Sequence, residues 1–416
     1  MDFSLDYTRE QEEFAKEVRE WLDENVPKDL ASPRNPLKMS YEQWQKRREF
    51  GRKLGEKGWL YPGYPREYGG GGLDIDHRFV LSQELDERHL GQPPFYDAAS
   101  LTVPPIMALG TEEQKKRMLP PILKGEVVTW QLFTEPEAGT DEANQQTNAL
   151  RHVREGDHFI LNGQKIFVGG FPAPPEQFLL LTRSDLEAPR HQNLAMFIAP
   201  ANLPGITIQT LDLFQSGAFT QVCGPVTATA GALKHSVFFD DVRIHESYKL
   251  GGDHDGWRAA TATLEVEHGG GSGMTARMPY KGVIYTMERL LEQCRSNPNI
   301  AKRLRENPQL LESVVNIYID AQVEWLFSLR NSWLAISGRR VPYAGSQLVA
   351  YSKLLGTRFI TDVARVLGPY CLTDDGEWGL DEDTFEVCER GGVILAPGGT
   401  PEAHKIIISR ALSIGR

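Results

Sequence analysis

The sequence predicts an α+β chain in three stretches. An N-terminal α-helical domain covers 1–127, a middle antiparallel β-barrel or sandwich covers 128–246, and a C-terminal helical bundle covers 247–416. Three observations carry that prediction. Apolar residues recur at helical spacing up to residue 127. Between 128 and 246, short β-type runs follow one another with turns between them and no helix. From Gly256 onward the helical spacing returns and stays.

Composition narrows the function. A chain of 416 residues suggests two or three domains, and 40% hydrophobic with 24% charged residues is ordinary for a globular protein. A net charge of −11 without any Lys/Arg run argues against general nucleic-acid binding. The first residues show no positive segment followed by an apolar core, and no apolar run is long enough to cross a bilayer, so a cytoplasmic protein is expected. Cys223, Cys294, Cys371 and Cys388 form no CxxC pair, and the ten histidines form no HxH or HxxxH pair. The thiols therefore read as reduced, and no metal is expected.

Taken in order, Thr8-Arg9-Glu10-Gln11 is a capping-box pattern, and Phe14, Val18, Trp21 and Leu22 then mark one helix face. A second helix is predicted over 41–57. Residues 58–72 read as a loop. Its four consecutive glycines lack the preceding strand and the following Gly-Lys-Ser/Thr of a phosphate loop. Helices resume over 79–88 and 111–123. In the middle stretch, runs at 158–161 and 164–167 flank Asn162-Gly163, which predicts a hairpin with a type I′ turn. Further strands are predicted over 178–182, 194–199, 206–211 and 236–243. Residues 213–234, rich in Gly, Ala and Thr, read as a flexible loop. Helices are predicted over 257–268, 280–294, 309–336, 346–367 and 402–412. Val315, Tyr318, Ile319, Val323 and Leu326, at heptad-like spacing, argue for packing in a bundle.

Where the chain changes from helical to β character, residues 131–141 read Gln-Leu-Phe-Thr-Glu-Pro-Glu-Ala-Gly-Thr-Asp. Such a loop keeps backbone N–H groups free for a phosphate or a flavin ring edge. An ordinary polar linker between domains fits the same composition. The stretch from Phe133 resembles the TEPxAGSD signature of the acyl-CoA dehydrogenase family, with Thr140 in place of Ser. The resemblance extends along the chain. It includes a GWxxPxxPxEYGG passage at 58–70, Leu161-Asn162-Gly163-Gln164-Lys165 (INGxK), Phe238-Phe239-Asp240-Asp241-Val242-Arg243 (FFDDVR), Gly256-Trp257, and Gly398-Gly399-Thr400-Pro401-Glu402 (GGTSE).

The resemblance implies FAD as cofactor and an acyl-CoA thioester as substrate. A carboxylate would take the α-proton while the β-hydrogen leaves as hydride. One family branch carries the base just before the Gly-Thr of the late motif, where this chain has Gly398. The other carries it in a Leu-x-x-Glu-Arg pattern, which matches Leu264 to His268 and assigns the base to Glu267, with His268 in place of Arg. Glu265, two residues away, would point to another helix face. A surface or salt-bridged acid is the competing reading of Glu267.

By the same carry-over, Phe133, Thr134 and Thr140 would line the flavin, with Thr140 also near the CoA end. Phe167, Val168 and Gly169 would lie at the flavin ring, Thr400 and Glu402 would contact FAD, and Arg365 and Gly368 would sit at its adenine end. Leu264, His268 and Gly399 would border the substrate. Arg289 would reach FAD phosphates across a subunit interface, although an i−4 pair on an exposed helix face is an equal alternative. Partners implied are an electron-transfer flavoprotein as electron acceptor and a homodimer or homotetramer.

Departures from the pattern qualify this. Val168 stands where a hydroxyl donor is usual, and 365–369 reads Arg-Val-Leu-Gly-Pro. These admit a flavin-poor subunit that pairs with a related chain. A flavin monooxygenase or oxidase on the same fold is a further alternative.

Overall fold

The computed structural model describes residues 7–28, 30, 40–88, 90, 99–151, 156–169, 174–211, 234–268, 274, 278–279, 282–372 and 398–414. The 213–233 part of the expected flexible loop, Cys223, Cys388 and the side chain of Arg289 lie outside the described residues.

Five helices open the chain. They are α1 (Arg9–Asn25), α2 (Tyr41–Lys57), α3 (Ile75–Glu87), α4 (Ala99–Leu109) and α5 (Glu112–Leu123). The Thr8 capping box forms as expected: its hydroxyl accepts from Gln11 N at 3.2 Å and its N–H donates to Gln11 Oε1 at 2.9 Å. Ser40 and Thr111 cap α2 and α5 in the same way. The glycine run is a tight packing device. A Cβ on Gly70 would stand 2.3 Å from the Tyr64 carbonyl oxygen, and one on Gly71 2.2 Å from that of Gly58.

Helix α4 was not among the expected elements, and it holds Pro104 and Pro105 inside it. Proline has no N–H, so Pro105 cannot donate to the carbonyl of Leu101 four residues earlier. The Thr263 hydroxyl from a later helix donates to that carbonyl instead, at 3.0 Å.

The middle of the chain forms an eight-stranded sheet. Its strands are β1 (Thr129–Leu132), β2 (Asn148–Arg151), β3 (His158–Val168), β4 (Gln177–Arg183), β5 (Leu194–Pro200), β6 (Ile206–Thr210), β7 (His235–His245) and β8 (Lys249–Leu250). The order is β6-β7-β3-β2-β4-β5-β8, with β1 paired to β4. Pairing is mostly antiparallel, but β1–β4 and β2–β4 are parallel, so the sheet is mixed.

Asn162-Gly163 is not a hairpin turn. β3 runs straight through it and stays paired with β7 on both sides, with a register shift between Leu161 and Gly163. The reason lies in the partners. The Asn162 side chain bonds Asp241 on β7, donating to its carboxylate at 3.0 Å and accepting from its backbone N–H at 2.9 Å. Gly163 has φ +140°, and a Cβ there would lie 2.7 Å from Thr147 Cα.

After the sheet come α6 (Gly256–Glu267), α7 (Gly282–Ser296), α8 (Pro298–Glu306), α9 (Pro308–Ile336), α10 (Ala344–Leu367) and α11 (Pro401–Ala411). One apolar core runs through the N-terminal helices, the sheet and the start of α6, including Leu22, Trp130, Phe178, Phe197 and Ala259. A separate core joins α7 to α10 through Met287, Ile317, Ala321 and Val363. The heptad-like residues of α9 do not form that core. Val315, Tyr318, Ile319 and Leu326 are exposed, and the inward face is Val314, Ile317 and Ala321. Among the described residues no helix is long and apolar enough to cross a membrane.

Candidate active site

The loop after β1 is built on a buried ion pair. Lys165 on β3 is fully buried, and its Nζ lies 2.6 Å from Glu135 Oε1 and 3.2 Å from the Phe133 carbonyl, with Gln145 Oε1 as a third partner. Glu135 also accepts from the backbone N–H groups of Gln146 at 2.5 Å and Thr147 at 3.1 Å. Gln145 in turn donates to the carbonyls of Phe133 and Glu142, at 3.1 and 2.7 Å. Burial pulls the Lys165 ammonium down to about 8, against the opposing pull of Glu135. The Glu of the first motif and the Lys of the second are therefore one structural unit, and every polar atom they bury has a use.

Helix α6 is held at both ends. A Cβ on Gly256 would stand 2.3 Å from the Leu194 carbonyl carbon, so the helix start lies directly on β5. One turn before the helix end, Thr263 is fixed on the Leu101 carbonyl. Glu267 then meets β1: Gln131 Nε2 donates to Glu267 Oε2 at 3.0 Å. Glu265 points elsewhere and pairs with Arg340 at 3.2 Å. His268 caps the helix, its N–H on the Leu264 carbonyl at 2.9 Å.

The surroundings of Glu267 are charged. Burial lowers Lys234 and Lys353, and the negative charge of Glu267 opposes both shifts. Glu142 is pushed up to about 8, first by burial and then by the charge of Glu267. Its Oε2 is buried without a hydrogen-bond partner among the described residues. Burial thus favours the neutral form of Glu142 beside Glu267.

The Gly398-Gly399 turn faces the same place. A Cβ on Gly398 would lie 3.9 Å from the Glu267 carbonyl oxygen. A Cβ on Gly399 would lie 3.0 Å from His404 Nε2 and 3.3 Å from His268 Nε2. His404 is fully buried on α11, and its Nε2 lies 2.8 Å from the Gly398 carbonyl. The two imidazoles meet edge to face, 5.1 Å apart. Burial holds both below the usual histidine range, His268 at about 4.

The residues expected at the flavin fall into groups. Phe133 is buried and contributes its carbonyl to Lys165, while the Thr134 carbonyl accepts from Ile166 N at 2.9 Å. Phe167 follows on β3 at φ +56° and is 49% exposed. Val168 turns inward: it is 2% exposed and belongs to the core. Val168 is nonetheless the position at which a side-chain hydrogen-bond donor is missing. Gly169 is half-buried, and Thr140 is exposed beside Asp141, which pairs with Arg190. Thr400 is the N-cap of α11, accepting from Ala403 N at 3.2 Å, and Glu402 is exposed in its first turn. Arg365 pairs with Asp362 at 3.4 Å, and Gly368 ends α10 at φ +64°. Arg365 lies roughly 18 Å and Gly368 roughly 22 Å along α10 from Lys353 at the helical rise per residue.

The contacts therefore join Glu267, Leu264, His268 and Gly399, and separately join Phe133, Thr134 and the Phe167 strand. Arg365 and Gly368 stand apart from both. Sequence reasoning missed Gln131, Glu142, Lys234, Lys353 and His404. Gln131 opens the motif stretch, but nothing in its spacing points to an acid 136 residues later.

The residues present fit FAD. Phe167 holds a bulky side chain at positive φ, which costs about 1–3 kcal/mol and marks functional positions. Its half-exposed ring, on the strand bonded to Thr134, is an apolar face of the kind a flat ring system covers.

Comparison with known proteins follows the same outline. Residues 8–126 match the family "Acyl-CoA dehydrogenase, N-terminal domain" and residues 131–220 match "Acyl-CoA dehydrogenase, middle domain", together about half of the chain. Acyl-CoA dehydrogenase IpdE1 of Mycobacterium tuberculosis is 30% identical over 261 residues, 62% of this chain and 63% of that protein. The match thus spans less than two thirds of that relative's length. Acyl-CoA dehydrogenase FadE26 of the same organism is 26% identical over 97% of this chain and 96% of its own. The solved structure "Tcur3481-Tcur3483 steroid ACAD" superposes with a TM-score of 0.77 at 25% identity, covering 100% of both chains. With its helix–sheet–helix order, its motif ion pair and its Phe167 face, the chain belongs to the acyl-CoA dehydrogenase family, whose cofactor is FAD.

Proposed function

We propose that this protein catalyses α,β-dehydrogenation of an acyl-CoA thioester, with Glu267 as the base that takes the α-proton. The observation that carries the reading is the 3.0 Å bond between Gln131 and Glu267, which ties the motif loop to the α6 acid. Gln131 holds Oε2, so Oε1 is the oxygen offered to the α-carbon. The Glu267 side chain is partly buried. Lys234 and Lys353 interact electrostatically with it, and burial favours the neutral form of Glu142 beside it. Bound FAD supplies the acceptor for the β-hydride. Phe133, Thr134, Thr140, Phe167, Gly169, Thr400 and Glu402 would hold its ring end, and Arg365 and Gly368 its far end. Leu264, His268 and Gly399 would border the acyl thioester.

For the substrate class we infer a steroid-derived acyl group, in line with the 25%-identical structure named "steroid ACAD". The exposed apolar row on α9 supports assembly with another chain, a second copy or a related one, through the C-terminal helices. A dye-linked assay over straight, branched and steroid-side-chain acyl-CoAs tests the reaction and the substrate class. Turnover of at least one class is expected, with loss of at least ~10²-fold in Glu267→Gln. An unchanged rate in that variant removes Glu267 as base.

A further inference from the structure

We propose that His404 is a positioning residue that holds the Gly398-Gly399 turn against Glu267. The inference rests on the proposed reaction for its functional part. Its structural part stands on the contacts themselves.

A carbonyl oxygen only accepts, so the 2.8 Å contact with the Gly398 carbonyl requires the proton on His404 Nε2. In the neutral ring Nδ1 then carries the lone pair, and it is buried without a partner among the described residues. Among the described residues, a wholly buried imidazole is therefore spent on a single bond to the turn. The turn needs that support. Gly398 and Gly399 are at φ +69° and +84°, a conformation glycine adopts without strain but does not by itself enforce. His268 completes the clamp. Its Nε2 and that of His404 both approach the place where a Gly399 Cβ would stand, at 3.3 and 3.0 Å. The turn is pressed on two rings that meet edge to face, one on α11 and one at the end of α6 next to Glu267. Through them the distance from Glu267 to the turn is set by packing rather than by the turn's own preference.

The test compares His404→Leu, which removes the donor, with His404→Gln, whose amide N–H can donate again. Three quantities are read on the FAD-loaded protein: KM and kcat for an acyl-CoA, hydrogen exchange of the 398–400 amides, and flavin content with Tm. His404→Leu is expected to raise exchange and to raise KM by roughly five- to tenfold, the worth of one hydrogen bond, with kcat and flavin content less affected. His404→Gln is expected to reverse both changes. Unchanged exchange in His404→Leu overturns the proposal. Faster exchange without a change in KM overturns the turn's role at the acyl site. Lost Tm and flavin without rescue by Gln would make His404 a plain core residue and overturn it too. Should His404→Leu not fold, Gly399→Ala displaces the turn by pushing a methyl onto both imidazoles and is expected to raise exchange and KM alike. If the unsubstituted protein turns over no acyl-CoA although exchange responds as expected, the dehydrogenase reading has failed while the clamp on the turn remains.

Discussion

The sheet half and the C-terminal helices solve the same problem differently. In the first, helices α1–α5, the sheet and the start of α6 share one core, and the motif residues close on one another. Lys165, Glu135 and Gln145 satisfy their buried polar atoms within a few residues of space. In the second, α7–α10 share a smaller core, and α9 leaves Leu311, Val315, Tyr318, Ile319 and Leu326 exposed. The first region gathers most of its large apolar side chains into its own core. The second carries apolar surface that water does not favour, and so its periodicity describes a surface for a neighbour as much as a core. Glu267 lies at the seam, on the helix that begins in the first core and ends beside α10 and α11.

The largest effect expected from disturbing the sheet half is from Lys165→Met. Glu135 would keep its backbone donors but lose its buried counter-ion, a change that costs about 3–5 kcal/mol. Chemical denaturation should show the midpoint falling, with the α7–α10 helices following only through the shared chain. A midpoint equal to the parent's would mean that the ion pair does not hold the loop.

A change aimed at the other half sharpens the contrast. Ile319→Asp with Leu326→Asp places two charges on the exposed row of α9. Light scattering should report a smaller assembly, and the thermal transition of the sheet half should remain. An assembly of unaltered mass would show that this row does not face another chain.

A third effect is a pH dependence at the seam. Burial raises the Glu142 carboxyl from its usual 4.5 to about 8. A group raised in this way contributes stability that is full below 4.5 and lost as pH rises through about 8, because the folded state then carries a buried charge. Glu142→Gln removes that loss. Its Tm relative to the parent should rise between pH 5 and pH 9. A difference that stays flat over that range would contradict the burial of Glu142 as an acid.

Much of the helical layout was legible because its signals are local. The Thr8, Ser40 and Thr111 caps fix helix starts with atoms three residues away, and α2 begins and ends where the spacing places it. Two features were not legible because their causes are distant in sequence. Asn162-Gly163 has the chemistry of a tight turn, yet Asp241 on β7 holds the Asn in a continuing strand. Pro104 and Pro105 argue against α4, and what compensates Pro105 is a hydroxyl at position 263. The site divides in the same way. Glu267 and Gly398 could be read from motifs, and Glu265 could be set aside by helix geometry. Gln131, Glu142, Lys234, Lys353 and His404 acquire meaning only when β1, α6, α10 and α11 meet.

The claim that most depends on that meeting is the role of Glu267. It is tested most directly by mixing the FAD-loaded protein anaerobically with an accepted acyl-CoA and following the loss of flavin absorbance in one turnover. The parent should bleach quickly. Glu267→Gln, with equal flavin content and an amide that can still meet Gln131, should bleach at least ~10²-fold more slowly. Equal rates in the two proteins would contradict the account.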